Sequence, residues 1–222
     1  MVVIITGASG GLGQTVTKAF VDSGASVVAV SSNWRSMPPG VLAVSADLST
    51  DAGCASVVQA ALDGFGQIDA LVHLVGGFAA GTAVEDTAAD GWTKMMDLNF
   101  WPAVRMLRVV LPGMKARGSG RVAMIGSKGA ADAAAGMAAY NASKSALMAL
   151  VRTAAAECKG SGVTVNAVLP SVIDTPAGRG AASEGEIAKW VAPESIASLL
   201  VWLCSDAGRD VTGALIPVYG RV

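Results

Sequence analysis

Short apolar runs of strand length alternate with helix-length segments along the whole chain, which limits the possible folds more than any other feature. The runs are continuous rather than alternately polar and apolar, as in strands that are covered on both faces by helices. Strands that alternate with helices are joined by right-handed crossovers and form a parallel sheet between two helical layers. The pattern predicts an α/β fold, a doubly wound three-layer Rossmann fold with a mostly parallel seven-stranded sheet.

The predicted elements leave no gap in which a second domain would fit, and a chain of 222 residues has the size of one domain. We therefore expect one domain over residues 1–222, with a short loop rich in small residues near 176–190. Strands are predicted at Val2–Thr6, Ser26–Ser31, Val41–Ser45, Ala70–Val75, Arg121–Ile125, Val163–Leu169 and Ala214–Val218. Helices are predicted at Gly11–Ser23, Thr50–Gly64, Trp92–Ala116, Tyr140–Lys159 and Pro193–Ser205.

Charge and hydropathy exclude two classes of partner. Sixteen basic residues against seventeen acidic ones leave no basic surface for nucleic acid. No apolar run approaches the ~20 residues that span a bilayer. Met1 leads directly into a strand without the basic flank or cleavage site of a signal peptide. We expect a cytoplasmic protein that binds neither nucleic acid nor membrane.

The cysteines Cys54, Cys158 and Cys204 are widely spaced and odd in number, and His73 is the single histidine. This composition excludes a disulfide framework and argues against a zinc site. We predict buried or half-buried reduced thiols and no metal centre.

A glycine-rich segment from Thr6 to Gly13 joins the first predicted strand to the first predicted helix. Such a turn lets backbone N–H groups and the positive end of the helix approach a pyrophosphate. Its spacing differs from the Gly-x-Gly-x-x-Gly of most dinucleotide folds, and a glycine turn also serves simply to pack a helix on a strand. The position directly after the first strand favours phosphate binding.

Tyr140 and Lys144 lie one turn apart in a predicted helix. A phenol with an ordinary pKa of ~10 is a poor acid or base at neutral pH. An ammonium group four residues later lies on the same helical face and favours the phenolate. The pair is thus a candidate proton donor or acceptor, with an incidental i,i+4 pair as the alternative.

These motifs resemble the short-chain dehydrogenase/reductase family over essentially the whole chain. The segment Thr6–Gly13 is similar to the family's cofactor motif, and Tyr140-x-x-x-Lys144 to its catalytic motif. Ser127 and Asn99 match the family's serine and helix asparagine, and 166–176 resembles the segment that faces the nicotinamide. The resemblance implies an NAD(P)-dependent oxidoreductase that transfers hydride between the cofactor and a carbonyl or alcohol substrate.

The resemblance also implies a role for each of four residues. Tyr140 would be the general acid–base, and Lys144 would lower its pKa and bind the nicotinamide ribose. Ser127 would hydrogen-bond the carbonyl oxygen, and Asn99 would hold a water that links Lys144 to solvent. Two alternatives stay open: Ser127 as a strand-end cap, and Asn99 as a partner of backbone groups.

The implied cofactor contacts lie where predicted strands end. After the second strand the chain has no acidic residue to bind the ribose hydroxyls of NAD, and Arg35 is near enough in sequence to reach the extra phosphate of NADP. We therefore expect NADP rather than NAD, with both open. Asp47 matches the family's adenine-contacting aspartate, or else caps the next helix. The implied cofactor-binding residues are Gly7, Ser9, Gly11, Leu12, Gly13, Ser31, Arg35, Asp47, Leu48, Val75, Gly76, Tyr140, Lys144, Pro170, Ile173 and Thr175.

Two departures from the family leave the substrate open. Residues 73–76 replace the family's Asn-Asn-Ala-Gly, and 176–190 is short for a substrate lid. Both features resemble the dihydropteridine reductase branch, although the second strand lacks the acidic residue of that branch. The alternatives are therefore a small carbonyl, a quinonoid pterin, or a dinucleotide sensor without turnover. We expect His73 to be a packed, hydrogen-bonded residue rather than a catalyst.

The predicted helix Trp92–Ala116 is apolar nearly all round. A helix that packs one face on a sheet needs only an apolar stripe. We expect the remaining face to meet a second copy in a homo-oligomer, a dimer or a tetramer. The alternative is that loops of the same chain cover it.

Overall fold

A computed structural model describes residues 1–34, 40–180 and 182–221. Seven described strands form one parallel sheet in the order β3-β2-β1-β4-β5-β6-β7. The strands are β1 Val2–Thr6, β2 Ser26–Ser31, β3 Leu42–Ser45, β4 Ala70–His73, β5 Gly120–Ile125, β6 Val163–Pro170 and β7 Leu215–Val218. The predicted fold is confirmed, and every strand pair of this sheet is parallel.

Nine described α-helices connect the strands or extend the loops. They are α1 Gly11–Asp22, α2 Asp51–Phe65, α3 Ala89–Asn99, α4 Trp101–Arg117, α5 Lys128–Asp132, α6 Ala138–Glu157, α7 Pro176–Arg179, α8 Glu184–Ile187 and α9 Pro193–Cys204. A turn of 3-10 helix at Asp206–Gly208 precedes β7. The short helices α5, α7 and α8 were absent from the predicted elements.

The predicted single helix Trp92–Ala116 is wrong, because the structure has two helices that meet at Phe100. Pro102 lies in the first turn of α4. A proline has no N–H to donate to the preceding turn, whereas it fits the start of a helix. The apolar pattern continues across the break and conceals it. The strand predicted at Ala70–Val75 also ends two residues early, at His73.

Neighbouring residues of the central strands point into two separate cores. Val3 and Ile5 of β1 pack with α1 and α9, whereas Ile4 between them packs with α2, α4 and α6. Side chains of a strand alternate between the faces of the sheet, and both faces are covered here. Because the strand order reverses between β1 and β4, a crevice opens at their carboxyl ends. That edge of the sheet carries the candidate site residues.

The three cysteines are buried free thiols, as predicted. Burial raises the pKa of the Cys54 thiol to about 11 and that of Cys204 to about 12. The described residues contain no group of three or more His, Cys, Asp or Glu side chains arranged for a metal ion. Within the same ranges, no helix is long and apolar enough to cross a membrane.

Candidate active site

The turn between β1 and α1 is closed by contacts that only glycine allows. Gly7 has φ +70, and a Cβ at Gly13 would lie 2.2 Å from the carbonyl oxygen of Gly7. Gly10 caps α1 without a side-chain hydrogen bond, and the first turn carries no acidic residue. The N–H groups that begin a helix have no partner within the helix. This turn therefore presents free backbone donors and a positive helix end, which suit a pyrophosphate.

A cleft of about 370 Å³ opens beside this turn. Ser32, Asp97, Leu98 and Pro102 belong to its wall without having been predicted as binding residues. They come from the end of β2 and from α3 and α4, so only the fold brings them near the glycine turn. Seven residues implied by the resemblance also line it: Gly7, Ser9, Ser31, Asp47, Leu48, Val75 and Gly76.

Serines rather than a carboxylate stand at the end of β2. The Ser9 and Ser31 hydroxyls share a hydrogen bond of 2.6 Å, and Ser31 Oγ donates to the carbonyl oxygen of Asn33 at 2.9 Å. The Asp47 carboxylate accepts from the backbone N–H of Ser49 at 2.9 Å, which lowers its pKa. Asp47 thus makes a local turn and still lines the cleft. Arg35, predicted to contact the cofactor, lies outside the described residues.

The remaining implied cofactor residues are spread along the same edge. A Cβ at Gly11 would lie 2.9 Å from Thr175 Cβ, so Thr175 covers the start of α1. Leu12 is half-buried and packs against the core between the sheet and α1 and α9. Pro170 ends β6, and Ile173 pairs with Val191. Neither of these two is among the residues that line the cleft.

Tyr140 lies in the first turn of α6, opposite Ser127 at the end of β5. Burial raises the pKa of the Tyr140 hydroxyl, and a hydrogen bond with the Ser127 side chain acts in the opposite direction. Ser127 also accepts a hydrogen bond from the N–H of Gly129 at 3.1 Å and so caps α5. The residue therefore combines the capping role left open above with a contact to the tyrosine.

Lys144 is buried, and its Nζ donates to the carbonyl oxygen of Ile125 at 2.9 Å. Burial lowers the pKa of this ammonium group to about 8. The lowering of the Tyr140 pKa by Lys144 that the resemblance implies stays a prediction, while the net shift of that pKa is upward. The physical reason is burial, which disfavours both the phenolate and the ammonium ion.

Asn99 is fully buried at the end of α3 and joins three elements. Its Oδ1 accepts from the N–H of Gly77 at 2.9 Å, and its Nδ2 donates to the carbonyl oxygen of Gly77 at 3.1 Å. Nδ2 also donates to Ser143 Oγ at 3.0 Å, and that hydroxyl donates to the carbonyl oxygen of Tyr140 at 2.7 Å. The amide thereby links the chain after β4 to the first turn of α6.

His73 is packed and hydrogen-bonded, as predicted. It is buried at the end of β4, and its Nδ1 shares a hydrogen bond of 2.9 Å with Thr6 Oγ1. Burial, with a smaller contribution from the nearby Lys144 charge, lowers the pKa of the ring to about 3. The imidazole is neutral at physiological pH and adds no charge to the site.

A second cavity of about 300 Å³ is lined in part by Tyr140. Its wall is formed mainly by small and apolar residues of the loop after β4, of α3 and of the start of α6. Asp86 is the one charged residue among the described residues that line it. Tyr140 thus borders a small, weakly polar space.

The family described as short chain dehydrogenase matches residues 1–185. The chain belongs to this family. It is an NAD(P)-dependent oxidoreductase by that membership, and the Rossmann fold and the family resemblance are confirmed. The closer resemblance to the dihydropteridine reductase branch stays a prediction.

Relatives and solved structures cover nearly the whole chain. A short chain dehydrogenase of Penicillium rubens is 28% identical, with 98% of this chain and 95% of the relative covered. A rhamnolipids biosynthesis 3-oxoacyl-[acyl-carrier-protein] reductase of Pseudomonas aeruginosa is 30% identical, with 99% and 94% covered. The structure of a 3-ketoacyl-(acyl-carrier-protein) reductase from Brucella melitensis, complexed with NADH, has a TM-score of 0.90, 26% identity and coverage of 99% and 97%.

Gly76 of this dehydrogenase lies against two polar side chains of the site. A Cβ there would lie 2.7 Å from Asn99 Oδ1 and 3.1 Å from Lys144 Nζ. We expect Gly76→Ala to displace both groups and to weaken cofactor affinity and kcat by about tenfold. Fluorescence titration with the reduced cofactor and steady-state kinetics measure the two losses.

Gly77→Ala is the matched control for Gly76→Ala. Its Cβ would meet Leu98 Cδ1 at 2.8 Å, which is the far end of a flexible, exposed side chain that can rotate away. A smaller loss is therefore expected for Gly77→Ala than for Gly76→Ala. Equal losses in the two variants would contradict the view that Gly76 makes room for the amide and the ammonium group.

Proposed function

We propose that this protein interconverts a small carbonyl compound and its alcohol with a nicotinamide cofactor, and that Tyr140 transfers the proton. The observation that carries the proposal is the meeting of Tyr140, Ser127 and the Lys144 ammonium group beside the glycine turn. A proton donor, a hydroxyl that can orient a carbonyl oxygen and a positive charge are the protein groups that carbonyl reduction requires.

The residues that line the cleft suit a dinucleotide. The free N–H groups at the start of α1 would hold the pyrophosphate, while Asp47 and Leu48 would border the adenine. Val75 and Gly76 line the same cleft toward Lys144, whose ammonium group would hold the nicotinamide ribose. The bound cofactor supplies the hydride.

The polar residues of the candidate site have distinct roles in this mechanism. The Tyr140 hydroxyl, kept protonated by its raised pKa, donates its proton to the substrate oxygen during reduction. Ser127 hydrogen-bonds the same oxygen as negative charge develops there. Asn99 holds the chain at Gly77 in register with α6, which positions Tyr140 and Lys144. The hydrogen bonds of Asn99 support this positioning role. The water by which the resemblance links Lys144 to solvent stays a prediction.

We infer a preference for NADP over NAD. The hydroxyls of Ser9, Ser31 and Ser32 line the cleft at the end of β2, where a carboxylate would repel the extra phosphate. Fluorescence titration should give a lower Kd for NADPH than for NADH. A lower Kd for NADH would overturn the inferred preference and leave the reductase proposal intact.

A substrate screen with the preferred cofactor tests the reaction itself. The panel contains small ketones, aldehydes and a quinonoid dihydropterin, since the resemblance of residues 73–76 and 176–190 to the dihydropteridine reductase branch makes the pterin an alternative substrate. Turnover of a ketone or an aldehyde supports the proposal, and turnover of the pterin alone replaces it with pterin reduction. Cofactor binding without turnover of any compound would favour a dinucleotide sensor.

We also propose that α4 packs against a second copy of the chain in a cytoplasmic homo-oligomer. Trp101 at the start of α4 is 43% exposed and lies beside Arg105 and Arg108, and its ring packs against that of Phe100 at a centroid distance of 5.1 Å. Exposed apolar side chains that lie next to one another often mark an interface between protein chains. Light scattering at monomer mass across concentrations would contradict the interface.

A further inference from the structure

We infer that Phe78 is the aromatic wall of the substrate site and that it selects carbonyl compounds whose carbonyl group is attached to a flat aromatic ring. This inference rests on the proposed carbonyl reduction and names its substrate class. Phe78 is 66% exposed, the largest value among the exposed large hydrophobic residues described. An aromatic side chain held so far out of the core gains little from the fold itself.

The ring of Phe78 is directed at Tyr140. The two ring centroids are 5.0 Å apart with an interplanar angle of 77°, an edge-to-face arrangement. In this geometry the edge of one ring meets the face of the other, and much of Phe78 stays exposed beside Tyr140. A substrate whose oxygen bonds to the Tyr140 hydroxyl would place its carbonyl substituent near Phe78.

Buried hydrogen bonds hold the two aromatic residues in register. Asn99 forms hydrogen bonds with both the N–H and the carbonyl oxygen of Gly77, the residue before Phe78. The same amide donates to Ser143, which donates to the carbonyl oxygen of Tyr140. The spacing of the two rings is thus set by a continuous chain of hydrogen bonds that runs through the interior, and it is built into the fold.

The cavity that Tyr140 borders suits an uncharged, compact ligand. Ala79 and Ala80 follow Phe78 directly and line the cavity together with Met95 and Met137. Its volume of about 300 Å³ lies at the lower end of the range for ligand pockets. Methionine side chains adapt to ring edges and make favourable sulfur–aromatic contacts. Asp86, the single charged side chain among the described residues that line the cavity, would disfavour an anionic substituent.

A pair of ketones that differ only in the aromaticity of the ring tests this inference. Acetophenone and cyclohexyl methyl ketone have the same number of heavy atoms, and only the first has a flat π-surface. Each is titrated into protein saturated with the oxidised cofactor, a complex in which hydride transfer to the ketone is impossible. Ligand-observed NMR then gives binding constants that do not depend on turnover.

We expect the wild-type protein to bind acetophenone about three- to tenfold more tightly than its saturated counterpart, as aromatic pairs contribute beyond their buried area. Phe78→Leu, which keeps an apolar side chain and removes the ring, should bring this ratio close to one. Val84→Ala is the control. Val84 is also highly exposed, at 63%, and has no ring to pack against Tyr140 as Phe78 does, so its variant should retain the wild-type ratio.

The outcomes separate this inference from the proposed reaction. Absence of a preference in the wild type, or an unchanged ratio in Phe78→Leu, would overturn the aromatic wall. A Phe78→Leu change that weakens the binding of both ketones equally would also overturn the aromatic wall, because Phe78 would then only support Tyr140. A binding preference without any turnover of ketones would contradict the proposed reduction and would leave the wall established.

Discussion

Phenylalanine in place of Tyr140 is expected to lower kcat for carbonyl reduction by about 10²–10⁴-fold, the range found for loss of a general acid. The variant removes one hydroxyl and keeps the ring that packs on Phe78. Because Tyr140 is not among the residues that line the nucleotide cleft, cofactor affinity should change by less than about twofold. Steady-state kinetics and fluorescence titration of the same preparation measure both quantities.

The pH dependence of the wild-type enzyme gives the same prediction a second readout. Reduction needs the neutral phenol, and oxidation of the alcohol needs the phenolate. Burial raises the pKa of Tyr140, so loss of its proton should slow reduction only at a pH above the ordinary range of a phenol. Oxidation should instead accelerate as the pH rises toward that value. Neither trend is expected in Tyr140→Phe.

Tyr219→Phe is the control for Tyr140→Phe, since it makes the same change in the other tyrosine of the chain. Its ring lies under the Lys128 ammonium group, 5.2 Å from the centroid. Nearly wild-type turnover is expected from this variant. If Tyr140→Phe also keeps more than about a tenth of kcat, a different group donates the proton.

The strands were predictable because both faces of the sheet are covered. A strand in this setting has no polar alternation, and its apolar run ends where a glycine or a polar residue reaches the open edge. The bounds of β1 and β2 agree with the prediction at both ends, and Gly7 follows β1 with a positive φ. The two helices that meet at Phe100 were not separated, since apolar periodicity outweighed Pro102 in the prediction.

The closeness of the candidate residues could be predicted from the sequence, whereas the electrostatics of the site could not. The spacing of Tyr140 and Lys144 brings both onto one helical face. The position of Ser127 is predictable because it comes just after the predicted strand Arg121–Ile125. The direction of the Tyr140 pKa shift depends on burial by other elements, which spacing does not reveal. The hydrogen bond from the Gly77 N–H to Asn99 joins residues 22 positions apart and depends on the turn after β4, which the spacing of motifs does not reveal.

Methionine in place of Lys144 should make the cofactor-free protein more stable and the enzyme much less active. The buried ammonium group has a pKa of about 8 in the folded protein against 10.5 ordinarily, so the folded state binds fewer protons between these values. The free energy of unfolding of the wild type therefore rises with pH from about 8 to about 10.5. Below pH 8 the full cost of burying the charge applies.

Lys144→Met removes this cost and loses the hydrogen bond to Ile125, so at neutral pH we expect a net gain of about 1–3 kcal/mol in unfolding free energy. Urea unfolding at several pH values should show the gain shrinking above pH 8. Cofactor affinity should fall by about tenfold or more, because a charge-assisted hydrogen bond to the ribose is lost. With the orienting charge gone as well, kcat/KM should fall by about 10²–10³-fold.

The pH profile of cofactor affinity decides whether the charge of Lys144 is the cause. In the wild type the Kd should rise as the pH passes about 8, because the free protein then loses its ammonium ion. In Lys144→Met the Kd should be weak at every pH and flat across this range. A wild-type Kd that stays constant through pH 8, or a variant that binds as tightly as the wild type, would show that the ammonium group does not hold the cofactor. A variant less stable than the wild type at neutral pH would show instead that the hydrogen bond to Ile125 outweighs the cost of burying the charge.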